Sequence, residues 1–221
     1  MMRRVLPGLA VALALACLLS RPAQADDARL WRGNFLVGRP GAVFSPCRSA
    51  ERYQIDDATT GKALEQAYRE LARQPGRAIF VEFVGVRMAH GIRAMRFERA
   101  LTDGPGCGED LGAVRMRAYG FNPFIQIEVR AAKIYLRLRP AGAPEIYTGG
   151  ALEVDHGEAR LEATRADSVL KLRVRARPCR EPLSNGLFSY EAIADVHGTP
   201  YTACAYWGDL GPIPELPRES R

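Results

Sequence analysis

"VLKLRVRARPC" (Val169–Cys179) alternates without a break: Leu170, Leu172, Val174 and Ala176 fall on one side, and Lys171, Arg173, Arg175 and Arg177 on the other. A period of two with one apolar and one charged side marks an antiparallel strand that keeps one face wet. The same pattern recurs nearby. "FIQIEV" sets Ile125, Ile127 and Val129 against Gln126, Glu128 and Arg130 as the run continues, and "KIYLRLR" sets Ile134, Leu136 and Leu138 against Lys133, Tyr135, Arg137 and Arg139. No helical period interrupts this half. Six or seven such strands predict an antiparallel β sandwich or barrel over residues 119–221.

Toward the N-terminus, the glycine cluster "GPGCGEDLG" (104–112) reads as a loop and as the boundary between two domains. Before it, "RLWRGNFLVG", "GAVFSPC" and "RYQID" read as short strands. "TTGKALEQAYRELARQPG" then changes period, with Leu64, Ala67, Tyr68 and Leu71 on one helical face and Gln-Pro-Gly as the stop. "RAIFVEFVGVR" is apolar on both faces and reads as a central strand, and "AMRFERAL" and "GAVRMRAY" follow it. The order strand, strand, strand, helix, strand, strand suits a small OB-like barrel capped by one helix over residues 26–118. The chain as a whole is thus expected to be mostly β.

Residues 1–25 have the composition of a secretory leader: Arg3 and Arg4, an apolar run from Val5 to Leu19, then "RPAQA" with small residues at 23 and 25. Cleavage is expected after Ala25. "ALAC", ending at Cys17, offers a second reading as a lipid-attachment box. No other stretch is apolar for long enough to form a membrane helix. Removing Arg3, Arg4 and Arg21 lowers the net charge from +6 to +3, with acids and bases mixed in both halves, so a nucleic-acid partner is not expected. Four cysteines remain: Cys47, Cys107, Cys179 and Cys204. An even number in an exported chain reads as disulfides. Of the three connectivities, Cys47 with Cys107 and Cys179 with Cys204 keeps each pair within one half, each contributing roughly 3 to 4 kcal/mol by loop closure.

"GAVFSPCRSAERYQID", with the helix and "AIFVEFVG" after it, resembles the C-terminal OB-type domain of NlpE-like envelope lipoproteins, which are associated with copper homeostasis and envelope stress. The second half is similar to a domain that follows it in an uncharacterised family of bacterial envelope proteins. That family's motifs run Gly-Asn-Glu-Pro-Phe-Trp, then Asp-Gly-Met-Ser after a cysteine, then Gly-Cys-Ala. Their counterparts are "YGFNPFIQIEV" (119–129), "CREPLSNG" (179–186) and "TACA" (202–205). Ile125 replaces the tryptophan, Leu183 and Ser184 the Met-Ser pair, and Ala203 the glycine. The metal-associated Cys-x-x-Cys of the NlpE amino-terminal domain is absent. The resemblance implies an envelope location and assigns no chemistry.

Three residue sets can carry a function. Arg173, Arg175 and Arg177, with Arg137 and Arg139 on a strand expected beside them, form a basic face for an anionic envelope component such as lipid headgroups, cell-wall polymer or an acidic protein, unless Glu128, Glu153 and Glu162 neutralise it. Met88, His90 and Met95 are a soft donor set suited to copper, or else methionines packed in a core. Ser184 with Asp195 and His197 would be a hydrolytic triad if the three met in space, although Ser-Asn-Gly after Pro182 is first of all a turn. Adjacent carboxylates such as Glu109 and Asp110 diverge and make poor acid and base partners. The expectation is a periplasmic or secreted, non-enzymatic binding or homeostasis module without a cofactor, with copper binding and Ser184 hydrolysis as alternatives.

Overall fold

Trp31, Gly33 and Phe35 turn inward from the first strand, as the alternation of "RLWRGNFLV" requires. The computed structural model describes residues 28–217 except 73 and 75. The leader, its cleavage after Ala25 and the lipid reading of Cys17 lie outside the described residues.

The first sheet is built from β1 (Arg29–Val37), β2 (Ala42–Pro46), β3 (Tyr53–Asp57), β4 (Ile79–Met88) and β5 (Gly91–Leu101), with α1 (Ala63–Leu71) between β3 and β4. Its pairings run β1–β2–β3–β5–β4 and return to β1, with β3–β5 parallel and the rest antiparallel, so the five strands close into an OB-type barrel. Side chains of Leu64, Ala67, Tyr68 and Leu71 are buried against it, with Tyr68 edge-on to Phe35 at 6.0 Å. Asp57 anchors the helix start: its carboxylate accepts from the Thr59 hydroxyl at 2.5 Å and from the Glu65 amide at 3.0 Å. Close strand approach fixes Gly33, where a Cβ would lie 2.1 Å from the Ser45 carbonyl oxygen.

The second sheet comprises β6 (Met116–Phe121), β7 (Phe124–Arg130), β8 (Lys133–Arg137), β9 (Glu145–Gly149), β10 (Glu153–Asp155), β11 (Glu158–Arg165) and β12 (Ser168–Arg175). After the two-residue strands β13 (Cys179–Arg180) and β14 (Leu187–Phe188) come its last members, β15 (Tyr190–Val196) and β16 (Thr199–Trp207). β9 and β10 pair with successive parts of the same edge of β11, through Gly149↔Ala163 and Glu153↔Arg160. The ring β6–β7–β8–β9–β11–β12–β15–β16 closes where β16 pairs with β6, and every pairing is antiparallel. It is an eight-stranded up-and-down barrel. The inward row of "VLKLRVR" is buried as its alternation requires. The ring exceeds the expected six or seven strands because β9 and β10 are short and outward Ile146 and Val154 spoil the alternation.

β13 and β14 depart from the two-way division. Between β12 and β15 the chain leaves the second barrel and pairs with the first, through Leu187↔Ala100 and Phe188↔Arg99. Strands of two residues are too short for any period to register in sequence. The disulfides are Cys47–Cys107 and Cys179–Cys204. Because Cys179 sits in the first sheet and Cys204 in the second, the latter bond ties the barrels together. Both bonds pack in a small core between the barrels with Phe80, Leu101, Phe188 and Tyr206.

Candidate functional site: a cleft between the barrels

The site begins with three charged residues on neighbouring strands of the first barrel. Arg32 stands opposite Glu82, and Glu82 opposite Arg99. In a lone barrel this outer face would be wet. Here the second barrel covers it, leaving Glu82 and Arg99 each 1% exposed. Buried charges must be paired, and these are paired in series. Arg32 Nε donates to Glu82 Oε1 at 2.6 Å, and Arg99 Nη2 donates to Glu82 Oε1 at 2.8 Å and to Glu109 Oε2 at 2.6 Å. Arg117 of β6 pairs with Glu109 and with Glu128 of β7, and Arg130 Nε donates to Glu128 at 2.5 Å. Seven side chains of alternating sign thus run from β1 to β7 and cross the joint between the barrels. At the β1 end, Arg32 also pairs with Asp209 and donates to the Trp207 carbonyl at 3.1 Å.

The ladder holds its protons accordingly. Burial alone would raise the Glu109 carboxyl, but Arg99, the Tyr206 hydroxyl and Arg117 together keep it below the ordinary carboxylate value. Glu128 is lowered in the same way: burial opposes, and Arg117 and Arg130 prevail. Tyr206, raised chiefly by burial, stays protonated and donates to Glu109 Oε1 at 2.5 Å. The Arg99 guanidinium lies 3.7 Å from the Tyr206 ring centroid, and its buried Nε has no hydrogen-bond partner among the described residues.

Above this ladder opens a cleft of about 430 Å³. Arg99, Glu109, Arg117 and Tyr206 line it together with Leu101 and Pro105 of the first barrel and its linker, Tyr119, Phe121 and Gln126 of the β6–β7 hairpin, and Leu183 and Ser184 of the β13–β14 loop. Tyr119 is edge-on to Phe121, Phe188 and Tyr206 at 6.0, 5.5 and 6.1 Å. Burial pushes its hydroxyl up to about 12, so it remains a donor. The loop is fixed from below by Glu181, which is 1% exposed and whose carboxylate accepts the backbone N–H of Leu183 at 3.0 Å and of Ser184 at 2.5 Å. Gly186 N–H donates to Ser184 Oγ at 3.2 Å, and a Cβ on Gly186 would lie 2.7 Å from Leu101. Thus "YGFNPF" and "EPLSNG", 62 residues apart in sequence, face each other across one concavity.

The residue sets named from sequence fare differently. Arg173 and Arg175 do share the outer face of β12, with Arg177 two residues past its end, but Arg175 is bonded to Glu158, Arg177 reaches Glu191 at 3.5 Å, and Lys171 reaches Glu162 at 3.9 Å. Arg137 and Arg139 are not beside them: β9 and β11 intervene between β8 and β12. Arg137 lines a separate hollow of about 280 Å³ with Glu128 and Tyr135. The face is a mosaic of both signs. Met88 and Met95 do not pack a core; they are 42% and 51% exposed on the β4–β5 hairpin. Met88 pairs with Gly91 at the turn beside His90, and Met95 lies four residues up β5, roughly 13 Å away at the strand rise, so the donors do not converge. Among the described residues no group of three or more His, Cys, Asp and Glu side chains could hold a metal ion.

Ser184 lines the cleft at the Tyr119 end, where Tyr119 pairs with Cys204. His197 sits in the turn before Thr199, five residues down β16 from Cys204, roughly 17 Å away. Asp195 caps that turn by accepting the Gly198 N–H at 2.8 Å. Asp195 and His197 therefore share a turn far from Ser184, and the triad reading does not assemble.

Sequence reasoning missed Glu82, Arg99, Arg117 and Tyr206. Their signal was present: Glu82 interrupts the otherwise apolar "IFVEFV", and Arg99 interrupts "FERAL" near the strand end. Comparison of the chain with protein-family models, curated proteins and solved structures finds no match.

Proposed function

We propose that the protein is an exported, non-catalytic binding module of the bacterial envelope whose ligand site is the cleft between the barrels. The observation that carries this reading is the cleft's rim. Leu183 keeps 73% of its surface exposed on a loop that Glu181, Ser184 and the nearby Cys179–Cys204 bond hold in one shape. Exposed apolar side chains grouped at a concavity of ligand size, here Leu183 together with Phe121, are a feature of a binding site. Arg99, Glu109 and Arg117 in the wall are engaged with one another, which favours recognition over proton transfer. Export is supported by the leader composition, by two disulfides of the kind that persist in oxidising compartments, and by the resemblance to envelope proteins. Among the described residues no helix is long and apolar enough to cross a membrane.

Two measurements test the reading. The intact mass of protein produced with its own leader should correspond to a chain starting at Asp26 with no free thiols before reduction; an uncleaved chain or free thiols would count against export. A solvent extract of envelope small molecules should raise the melting temperature saturably. No rise, or an equal rise in Leu183→Asp, would overturn the assignment of the cleft.

A further inference from the structure

We infer that the cleft selects an uncharged amphiphile, a ring-bearing apolar body with one hydrogen-bonding head, and rejects anions. This deepens the binding reading and rests on it. Two arginines in the wall suggest an anion site at first sight, but both are already ion-paired. Arg99 Nη2 is divided between Glu82 and Glu109, and Arg117 between Glu109 and Glu128. The charged wall residues Arg99, Arg117, Glu109 and Asp103 sum to zero. Asp103 is exposed at the rim, and among the described residues it has no cationic partner, only the Thr102 hydroxyl at 3.0 Å. An incoming anion therefore meets a carboxylate first and then guanidiniums already compensated. Like-charge juxtaposition disfavours such a partner. A cation would pass Asp103 only to meet Arg99 and Arg117.

The remaining chemistry suits a neutral guest. Phe121, which is 39% exposed, and Leu183 stand at the opening, with Leu101, Pro105 and the Tyr119 ring behind them. A volume of about 430 Å³ lies within the range of roughly 300–1,000 Å³ typical of small-ligand sites. Tyr119, Ser184 and Gln126 offer uncharged donors and acceptors in the lining, able to orient a head group without attracting charge.

A matched pair of fluorophores tests this. N-phenyl-naphthylamine is neutral, with an apolar aromatic body and one N–H; anilinonaphthalene sulfonate has the same rings and a sulfonate. The neutral probe should bind the native protein saturably at one site, with an affinity indifferent to salt and at least about tenfold above that of the sulfonate, a gap of ~1.4 kcal/mol. Leu183→Asp should weaken it by at least about tenfold while leaving the melting temperature unchanged, because that side chain lies in water. Tyr119→Phe should weaken it by a smaller factor. Equal or tighter, salt-sensitive binding of the sulfonate that is lost in Leu183→Asp would overturn the inference and leave the cleft as the binding site. Failure of the neutral probe to bind, or binding untouched by Leu183→Asp, would also overturn it, and the envelope-extract measurement then judges the cleft separately.

Discussion

Among the described residues, seven of the fifteen buried side chains in the first barrel's core are aromatic, whereas in the second barrel three of twenty-three are aromatic and eight are alanine. A five-stranded ring has few inward positions, so Trp31, Phe35, Phe44, Phe83 and Phe97 fill it with large rings and α1 covers it. The eight-stranded ring has many inward positions and cannot use large residues at all of them. Five of its alanines are contiguous: Ala118 faces Ala205 across β6 and β16, Ala203 faces Ala192 across β16 and β15, and Ala194 follows two residues along β15, while Ala159 and Ala163 lie apart on β11. Opposite this wall, counted around the ring, β8 supplies Ile134 and Leu136 and β9 supplies Tyr147. Small residues on one side leave room for large ones on the other, as close packing demands. The first barrel should thus be most sensitive to lost volume, and the second to added volume.

The largest effect should come from Phe44→Ala. Phe44 is fully buried and edge-on to both Trp31 at 6.3 Å and Phe83 at 5.0 Å. Truncation leaves a void among rings that cannot close it, at a cost of about 3–5 kcal/mol. Urea unfolding should show a lower midpoint, and a loss below ~1 kcal/mol would mean that the aromatic core is redundant.

The joint between the barrels should respond next. Glu109→Gln removes the carboxylate shared by Arg99, Arg117 and Tyr206, and should cost about 1.5–3 kcal/mol as a lost set of charged hydrogen bonds. It should also change the pH response. The folded-state pKa of Glu109 lies below its ordinary 4.5, and that of Glu128 is lowered too. Their contribution is therefore fully present above about pH 4.5 and is lost as pH falls through the lowered values. Stability of the native chain should drop on acidification below pH 4.5, and Glu109→Gln should flatten that drop. Equal slopes for the two proteins would remove Glu109 from the acid response.

A smaller effect tests the alanine wall. Ala194 is 2% exposed, and Ala194→Leu should cost about 1–3 kcal/mol by overpacking. The same unfolding experiment reads it, and a stabilised variant would show that the second barrel has spare room, contrary to the packing inferred from its alanines.

What could be read from the sequence follows from what period-two patterns report. Strands with one wet face, such as β7 and β12, show their inward rows directly, and the helical face of α1 was equally plain. The OB-type order was legible because five strands and one helix come in sequence. The closure of the second ring was not, since it depends on β16 meeting β6 across 85 to 91 residues and on the weakly patterned β9 and β10. The cleft was legible only as two separate turns. Nothing local in "FVEFV" or "RFERAL" says that a second barrel will cover Glu82 and Arg99, because burial there is a tertiary fact. The charge partners are likewise set by cross-strand register, which single-strand patterns do not contain.

The smallest expected effect separates the outer face of the second barrel from the cleft. Arg173 is exposed on β12, stands directly opposite Arg160 of β11 and Ile193 of β15, and among the described residues has no ion-pair partner. Arg160 already pairs with Asp155 at 3.3 Å and Glu158 at 3.1 Å. Arg173→Glu would replace a like-charge neighbour with an opposite one at a solvent-screened position, where such pairs are worth about 0–1 kcal/mol. Stability should stay level or rise slightly, and binding of the neutral fluorophore should not change, because no cleft residue is touched. If instead Arg173→Glu abolished binding of the envelope extract while Leu183→Asp did not, recognition would belong to the charged face of β12. The compensation of Arg175, Lys171 and Arg177 on that face by Glu158, Glu162 and Glu191 argues for the opposite result, since the cleft rim carries the exposed apolar side chains Phe121 and Leu183.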